Sequence, residues 1–136
     1  MSKLAAWSPH ALAVLRIMAA LLFIEHGSMK LFHFPAAQPG APDPLPSLLF
    51  AAAIIEVVGG AMVATGFLTR FAALICSGEI AAGYFMVHAP KSFWPALNQG
   101  DAAILFSFIF FYLIFAGPGA WSLDAVLRRS PSLPPR

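Results

Sequence analysis

Four apolar stretches, residues 9–34, 46–69, 71–89 and 101–116, dominate the chain and leave few residues between them. At about 1.5 Å of rise per residue, each has a length on the scale of a hydrocarbon core ~30 Å thick, the fourth only if it stands upright. Soluble helices of that length keep a polar face, and these do not. Hydrophobic residues make up 60% of the chain and charged residues 10%, with a mean hydropathy of +0.79, well outside the balance of a soluble domain. The expectation is an all-α protein: a transmembrane four-helix bundle forming a single domain over residues 1–136, with an interfacial tail at 120–136.

Lys3 ahead of the first apolar run has the look of a signal peptide. Arg16 interrupts that run, no small-x-small site follows it, and the segment continues with polar residues through Lys30, so the reading is a retained helix. When the helices alternate direction, Lys3, Arg70, Arg128, Arg129 and Arg136 fall on one side, against Lys30 and Lys91 on the other. This asymmetry places both termini in the cytoplasm and points to the cell inner membrane, with the loops 35–46 and "APKSFWPALNQG" outside. The loop "FPAAQPGAPDPLP" is stiff and reads as a connector, or else as a cap over the outer end of the bundle. In the tail, Trp121 and Leu123 suit the headgroup zone and Arg128 and Arg129 suit anionic lipid. The lipid bilayer is therefore the first partner.

Cys76 is the single cysteine, which excludes an internal disulfide, a Cys-x-x-Cys pair and a thiolate-ligated cluster. A net charge of +2, with its basic residues at membrane boundaries, gives no footprint for nucleic acid.

The ionisable residues inside the spans carry the functional information. "LFIEHGSMKLF" sets Glu25, His26 and Lys30 in the first span, Glu56 lies in the second and Glu79 in the third. Counted from the outer ends, the three carboxyls fall at similar depths, about 10 to 15 Å. A central acidic residue costs about 2.5 to 3.5 kcal/mol on insertion scales, against ~0.3 to 0.6 kcal/mol returned by each Leu or Phe. Such carboxyls belong in the bundle interior or a wet cavity, protonated or paired with Lys30, His26 or one another. Nearer the mouth, Lys30, His88, Lys91, Asn98, Gln99 and Asp101 suggest a polar funnel, walled by Tyr84, Phe85, Phe93 and Trp94. At the opposite end, a bond from Arg16 or Arg70 to Asp124 would dock the tail. Gly59 and Gly60, in "EVVGGAMVATG", let a neighbouring helix come close and hold Glu56 against it. The phenylalanines of the fourth span read as lipid-facing or core filler.

Taken together, "LRIMAALLFIEHGSMKLF", "IIEVVGGAMVATGFLTRFAAL", "AGYFMVHAPKSFWPALNQGDAAILF" and "AGPGAWSLD" resemble the DoxX family of small four-helix membrane proteins. The resemblance runs from Leu12 to Asp124. It rests on Arg16, His26-Gly27, Lys30, Glu56 with Gly59-Gly60, Gly66, Thr69-Arg70, His88 with Phe93-Trp94, and the closing Gly117-Pro118-Gly119 and Trp121-Ser122-Leu123-Asp124. Asp101 stands where many relatives carry Glu, and Glu25 and Glu79 fall outside the pattern. What the resemblance implies is a membrane subunit of a quinone-linked oxidoreductase system, working with a soluble or membrane redox partner.

Quinone exchange moves protons as well as electrons. On that reading Glu56, His26 and Glu79 would carry the proton chemistry, and Glu25, Lys30, His88, Tyr84, Trp94 and Asp101 would line the ligand. Arg16, Arg70, Asp124, Gly59 and Gly60 would be structural. Carboxyls and imidazoles do not carry electrons, so a partner protein or a substrate supplies them. A quinone is the one bound cofactor expected. A metal at Glu25 or His26 with Glu56 and Glu79 lacks the Glu-x-x-His pairs of carboxylate-bridged bundles, and none is expected. The alternative is a noncatalytic scaffold or assembly factor, in which the same residues form buried ion pairs fixing helix register. A homo-oligomer is left open.

Overall fold

The computed structural model describes residues 3–128, and among the described residues all regular structure is helical. Arg129, Arg136 and the rest of the expected tail beyond residue 128 lie outside the described residues. A short turn at Ala5–Trp7 leads into α1 (Ser8–Phe32), with Pro9 in the first turn, where its missing N–H leaves no bond unmade. It ends where His33 turns left-handed at φ 53° and its N–H reaches the carbonyl of Ser28. Helix α2 (Ser47–Thr65) stops at Gly66, whose φ of +70° suits a residue without Cβ. Helix α3 (Thr69–His88) begins after only two further residues, and α4 (Asp101–Ala116) follows a loop that contains the single turn Pro95–Asn98. The second span is thus shorter than the expected 46–69, because Gly66 reverses the chain before Thr69.

The helices alternate in direction. Gly60 meets Ala20 and Ile24 while Gly27 meets Ala53 and Glu56, so α1 and α2 run antiparallel; Tyr84 against Gly100 and Arg70 against Ile114 show the same for α3 and α4. One end of the bundle therefore holds the loops 33–46 and 89–100, and the other holds the start of α1, the turn between α2 and α3 and the strap after α4. With its leading turn, α1 belongs to an apolar segment of 28 residues; α2 has 19 and α3 has 20, enough to cross a membrane, whereas α4 is shorter. Large apolar side chains such as Met18, Leu22, Phe50, Leu74, Phe108 and Phe111 face outward. Alanines and aromatic rings face inward, the arrangement that lipid as a solvent favours.

The core is built from small residues where helices touch and from rings where they diverge. Phe23 of α1 stands edge-on to Phe110 of α4 at 4.9 Å, with Phe106 at 5.9 Å completing the group. Ala72, Ala73 and Cys76 of α3 and Val63 of α2 fill the remaining space. Helices α3 and α4 share the most extended seam, pinned by reciprocal bonds: Ser77 Oγ donates to the carbonyl of Ser107 at 2.9 Å, and Ser107 Oγ donates to that of Ser77 at 3.2 Å.

A clasp closes the terminal end. The N–H of Ala120 donates to Pro9 O at 2.9 Å, bringing the strap after α4 onto the start of α1. Arg16, fully buried, donates from Nη1 to Pro118 O at 2.6 Å and from Nη2 to Trp121 O at 2.9 Å. Arg70 donates to the carbonyls of Ile114 and Phe115, both at 2.6 Å, satisfying acceptors that the end of α4 leaves free. Asp124 accepts from the N–H of Leu68 at 2.8 Å, the N–H of Thr69 at 3.0 Å and Thr69 Oγ1 at 2.8 Å. The expected bond from Arg16 or Arg70 to Asp124 is therefore corrected: each arginine binds backbone carbonyls and the aspartate caps α3. For Arg70 and Asp124 the reason is that helix ends leave unsatisfied backbone groups, donors at the start and acceptors at the finish, and for Arg16 the strap carbonyls of Pro118 and Trp121 offer acceptors of the same kind. Burial tends to raise the Asp124 pKa, but the Thr69 and Leu68 bonds and the nearby Arg128 charge outweigh it and hold it below the ordinary 3.8.

Candidate functional site

Between the clasp and the loops, the bundle holds a buried ion pair. Lys30 sits near the loop end of α1, and helical side chains lean toward the N-terminus, so its ammonium reaches down into the bundle. There Nζ meets both carboxylate oxygens of Glu56 on α2, at 2.6 Å and 2.7 Å. The two side chains are 11% and 3% exposed, so the pair is shielded by protein on nearly all sides.

Two local features bring Glu56 to this place. The helix widens into a π turn over Ile55–Gly59, a departure often found where a side chain must be re-aimed. Gly27 of α1 lies directly against this turn: a Cβ there would stand 2.8 Å from Glu56 Cβ and 2.9 Å from Ala53 O. A Cβ on Gly60 would stand 2.6 Å from Ile24 Cγ1, also of α1, and on the face toward α3 one on Gly59 would stand 2.6 Å from Cys76 Sγ. Glycines on both helices thus let α1, α2 and α3 close around the carboxylate.

Glu79 of α3 comes from one turn beyond Cys76 and is near enough to interact electrostatically with both Glu56 and Lys30. Its Oε2 is buried without a hydrogen-bond partner among the described residues. His26, one turn from Lys30 on α1, meets Phe106 of α4 edge-on at 5.9 Å, and its Nδ1 is likewise buried and unpartnered. Four helices therefore contribute: His26 and Lys30 from α1, Glu56 from α2, Glu79 from α3, and the Phe106 ring from α4. Buried polar atoms are nearly always hydrogen-bonded, so two orphans beside a closed ion pair mark a place that can take a proton or a hydrogen-bonding ligand.

The other expected site residues go elsewhere. Tyr84 and His88 lie on a second π turn, Tyr84–His88, at the loop end of α3. They join a knot around buried Asn98, which donates from Nδ2 to Tyr84 Oη at 3.3 Å and to Ser92 O at 2.9 Å; His88 Nδ1 is 3.0 Å from Asn98 O. Trp94 is 62% exposed, Asp101 is exposed at the start of α4, and Glu25 is exposed on the outward face of α1. The residues expected to form one funnel thus divide between the ion-pair cluster, the knot and the surface. Two open grooves lie outside the cluster, one of about 350 Å³ between α3 and α4 beside Ser77 and Ser107, the other of about 420 Å³ beside Glu25. Phe106 and Cys76 are neighbours of the cluster that the sequence reading did not pick out; the alternation of Phe106 and Phe110 with the outward Phe108 and Phe111 is the signal that would have found the first.

Long helices with apolar exteriors, joined by short loops and closed inside around a paired charge, define an integral membrane protein. The chain belongs to the DoxX family, whose model, described as DoxX, matches residues 11–89. It is 40% identical to an uncharacterized protein of Haemophilus influenzae over 91% of this chain and 96% of that one. An uncharacterized membrane protein of Mycobacterium tuberculosis is 29% identical over 89% of this chain and 83% of its own. The inner membrane protein YqjF of Escherichia coli is 32% identical, covering 85% and 91%. No solved structure matches the chain.

Proposed function

We propose that the protein is an inner-membrane subunit of a quinone-linked redox system, in which the cluster of His26, Lys30, Glu56 and Glu79 handles protons at a quinone headgroup. The observation that carries this reading is the pair of orphaned buried atoms, His26 Nδ1 and Glu79 Oε2, flanking a charged pair in the bundle interior. The donor set fits the group: a quinone presents carbonyl oxygens, and a ring N–H of His26 and a protonated Glu79 both offer donors to them. When bound, a quinone supplies the coupled electron and proton chemistry that carboxyl and imidazole groups lack. His26 would offer a ring nitrogen to hold a quinone oxygen in place, Glu79 would offer Oε2 as a second hydrogen-bonding atom, and Lys30 with Glu56 would set the local charge. Phe106 offers an aromatic wall. Electrons come from a soluble or membrane partner. Both termini face the cytoplasm, following the distribution of Lys and Arg between the two ends.

A specific observation favours a second reading. Both oxygens of Glu56 are already held by Lys30, as in a buried pair that fixes register, so the protein would serve as a noncatalytic scaffold for a redox partner. One experiment separates the two. Protein purified in native-lipid nanodiscs is extracted and its quinone quantified, for wild type, Glu79→Gln and His26→Ala, neither of which removes a hydrogen bond of the Lys30–Glu56 pair. The quinone reading expects bound quinone in wild type and at least about a tenfold loss in affinity in both variants, as when a buried polar contact is removed. Wild type without quinone, or variants that retain it, would leave the scaffold reading in its place.

A further inference from the structure

Glu25 is a carboxylate on the wrong face of its helix for a lipid-exposed protein. The outward stripe of α1 runs through Val14, Met18, Leu21 and Leu22 and then meets Glu25, which is exposed like the rest. It lies seven residues before the last residue of α1, Phe32, hence about 10 Å below the helix end. Snorkelling toward the loop end is opposed by geometry, because a helical side chain leans toward the N-terminus and so deeper into the bilayer. The groove around it is lined by Leu21, Ile24, Ser28, Phe34 and Pro35, none of them a cation. The chain after α1 folds back over the end of this groove, with Ser28 Oγ donating to Phe34 O at 2.9 Å. Lys30, the neighbouring ammonium, is committed to both oxygens of Glu56.

We infer that this groove is the docking face for a transmembrane helix of another protein, one that carries a basic side chain in the same leaflet to meet Glu25. Charge complementarity selects this occupant over a second copy of the chain. A two-fold axis along the bilayer normal would set Glu25 against its own counterpart, like charge against like. Among the described residues the remaining Lys and Arg side chains do not match its depth: Arg16 is buried in the clasp, Lys3, Arg70 and Arg128 sit at the same end of the bundle as the clasp, and Lys91 lies in the loop beyond α3. The inference stands apart from the quinone reading, since Glu25 is outside that cluster.

The full chain, labelled with a fluorescent donor, is reconstituted in phosphatidylcholine vesicles with an acceptor-labelled leucine-rich transmembrane peptide. The peptide bears either one Lys at the depth of Glu25 or Leu at the same place. Association with the Lys peptide is expected to be about three- to thirty-fold tighter, the range measured for polar contacts between membrane helices. Glu25→Gln should abolish the difference, and Glu25→Asp should keep most of it. Equal binding of the two peptides, a preference that survives Glu25→Gln, or Glu25-dependent pairing of labelled copies of the chain in preference to the Lys peptide would each overturn the inference.

Discussion

Replacing Glu56 by Gln leaves the Lys30 ammonium inside the bundle with a neutral partner, and the structure sets how much that should cost. With both N–O distances below 3 Å and exposures of 11% and 3%, water screens the pair little. At an effective dielectric constant of about 20 and a charge separation near 3 Å, the attraction is about 5 kcal/mol, and breaking buried pairs from one side costs about 3 to 5 kcal/mol. We expect Glu56→Gln to lose about 3 kcal/mol in reversible unfolding by SDS titration in bicelles. The more telling variant is the double replacement Lys30→Met with Glu56→Leu, which removes both charges and keeps volume. It should return to within about 1 kcal/mol of wild type, because an apolar pair of similar size replaces a buried ion pair at little net cost. Additive losses, or a Glu56→Gln change below about 0.5 kcal/mol, would refute the reasoning, since the pair would then be neither shielded nor mutually dependent.

The close approach of α1 and α2 makes Gly27→Val a second test: its side chain would enter space held by Glu56 Cβ, Val57 Cγ2 and Ala53 O, and overpacking of this kind should lower stability by about 1 to 3 kcal/mol in the same titration. The clasp gives the third. Asp124 has its pKa held below 3.8, so its contribution to stability is fully present above that value and is lost as pH falls through the lower folded-state value. Asp124→Asn should therefore cost about 1 kcal/mol at neutral pH, the usual scale for a lost helix cap, and should flatten the decline in Tm expected on acidification. An unchanged acid limb would remove Asp124 as its source.

Much of the architecture was legible in the sequence because lipid imposes simple demands. A run of some twenty apolar residues has one comfortable place, and the insertion cost of a carboxyl in mid-span favours turning Glu56 inward. Which of the remaining carboxyls joins it depends on helical phase, and one residue changes the facing by about 100°. Glu25 and His26 are neighbours in the chain, yet His26 faces Phe106 and Glu25 faces out. The small buried residues Ala13, Ala19, Ala20 and Gly27 carry that phase, and Glu25 sits off their stripe. The π turns at Ile55–Gly59 and Tyr84–His88 left no comparable mark, since an extra residue in a turn has no composition of its own. The clasp misled for a related reason. Opposite charges in a sequence invite pairing, while the backbone groups of the strap that Arg16 binds, and of the helix ends that Arg70 and Asp124 bind, are common to every residue and so invisible in the letters.

Because the clasp is made by residues 118–124, which follow all four long helices, the bundle is fastened only after the fourth of them has been made. Until then Arg16 has no carbonyls to hold and the start of α3 has no cap, so the earlier helices wait in the bilayer as a loose set. A nascent chain stalled before Pro118 would thus present quality-control proteases with an unlatched assembly, while one that reaches Asp124 locks from the bottom upward.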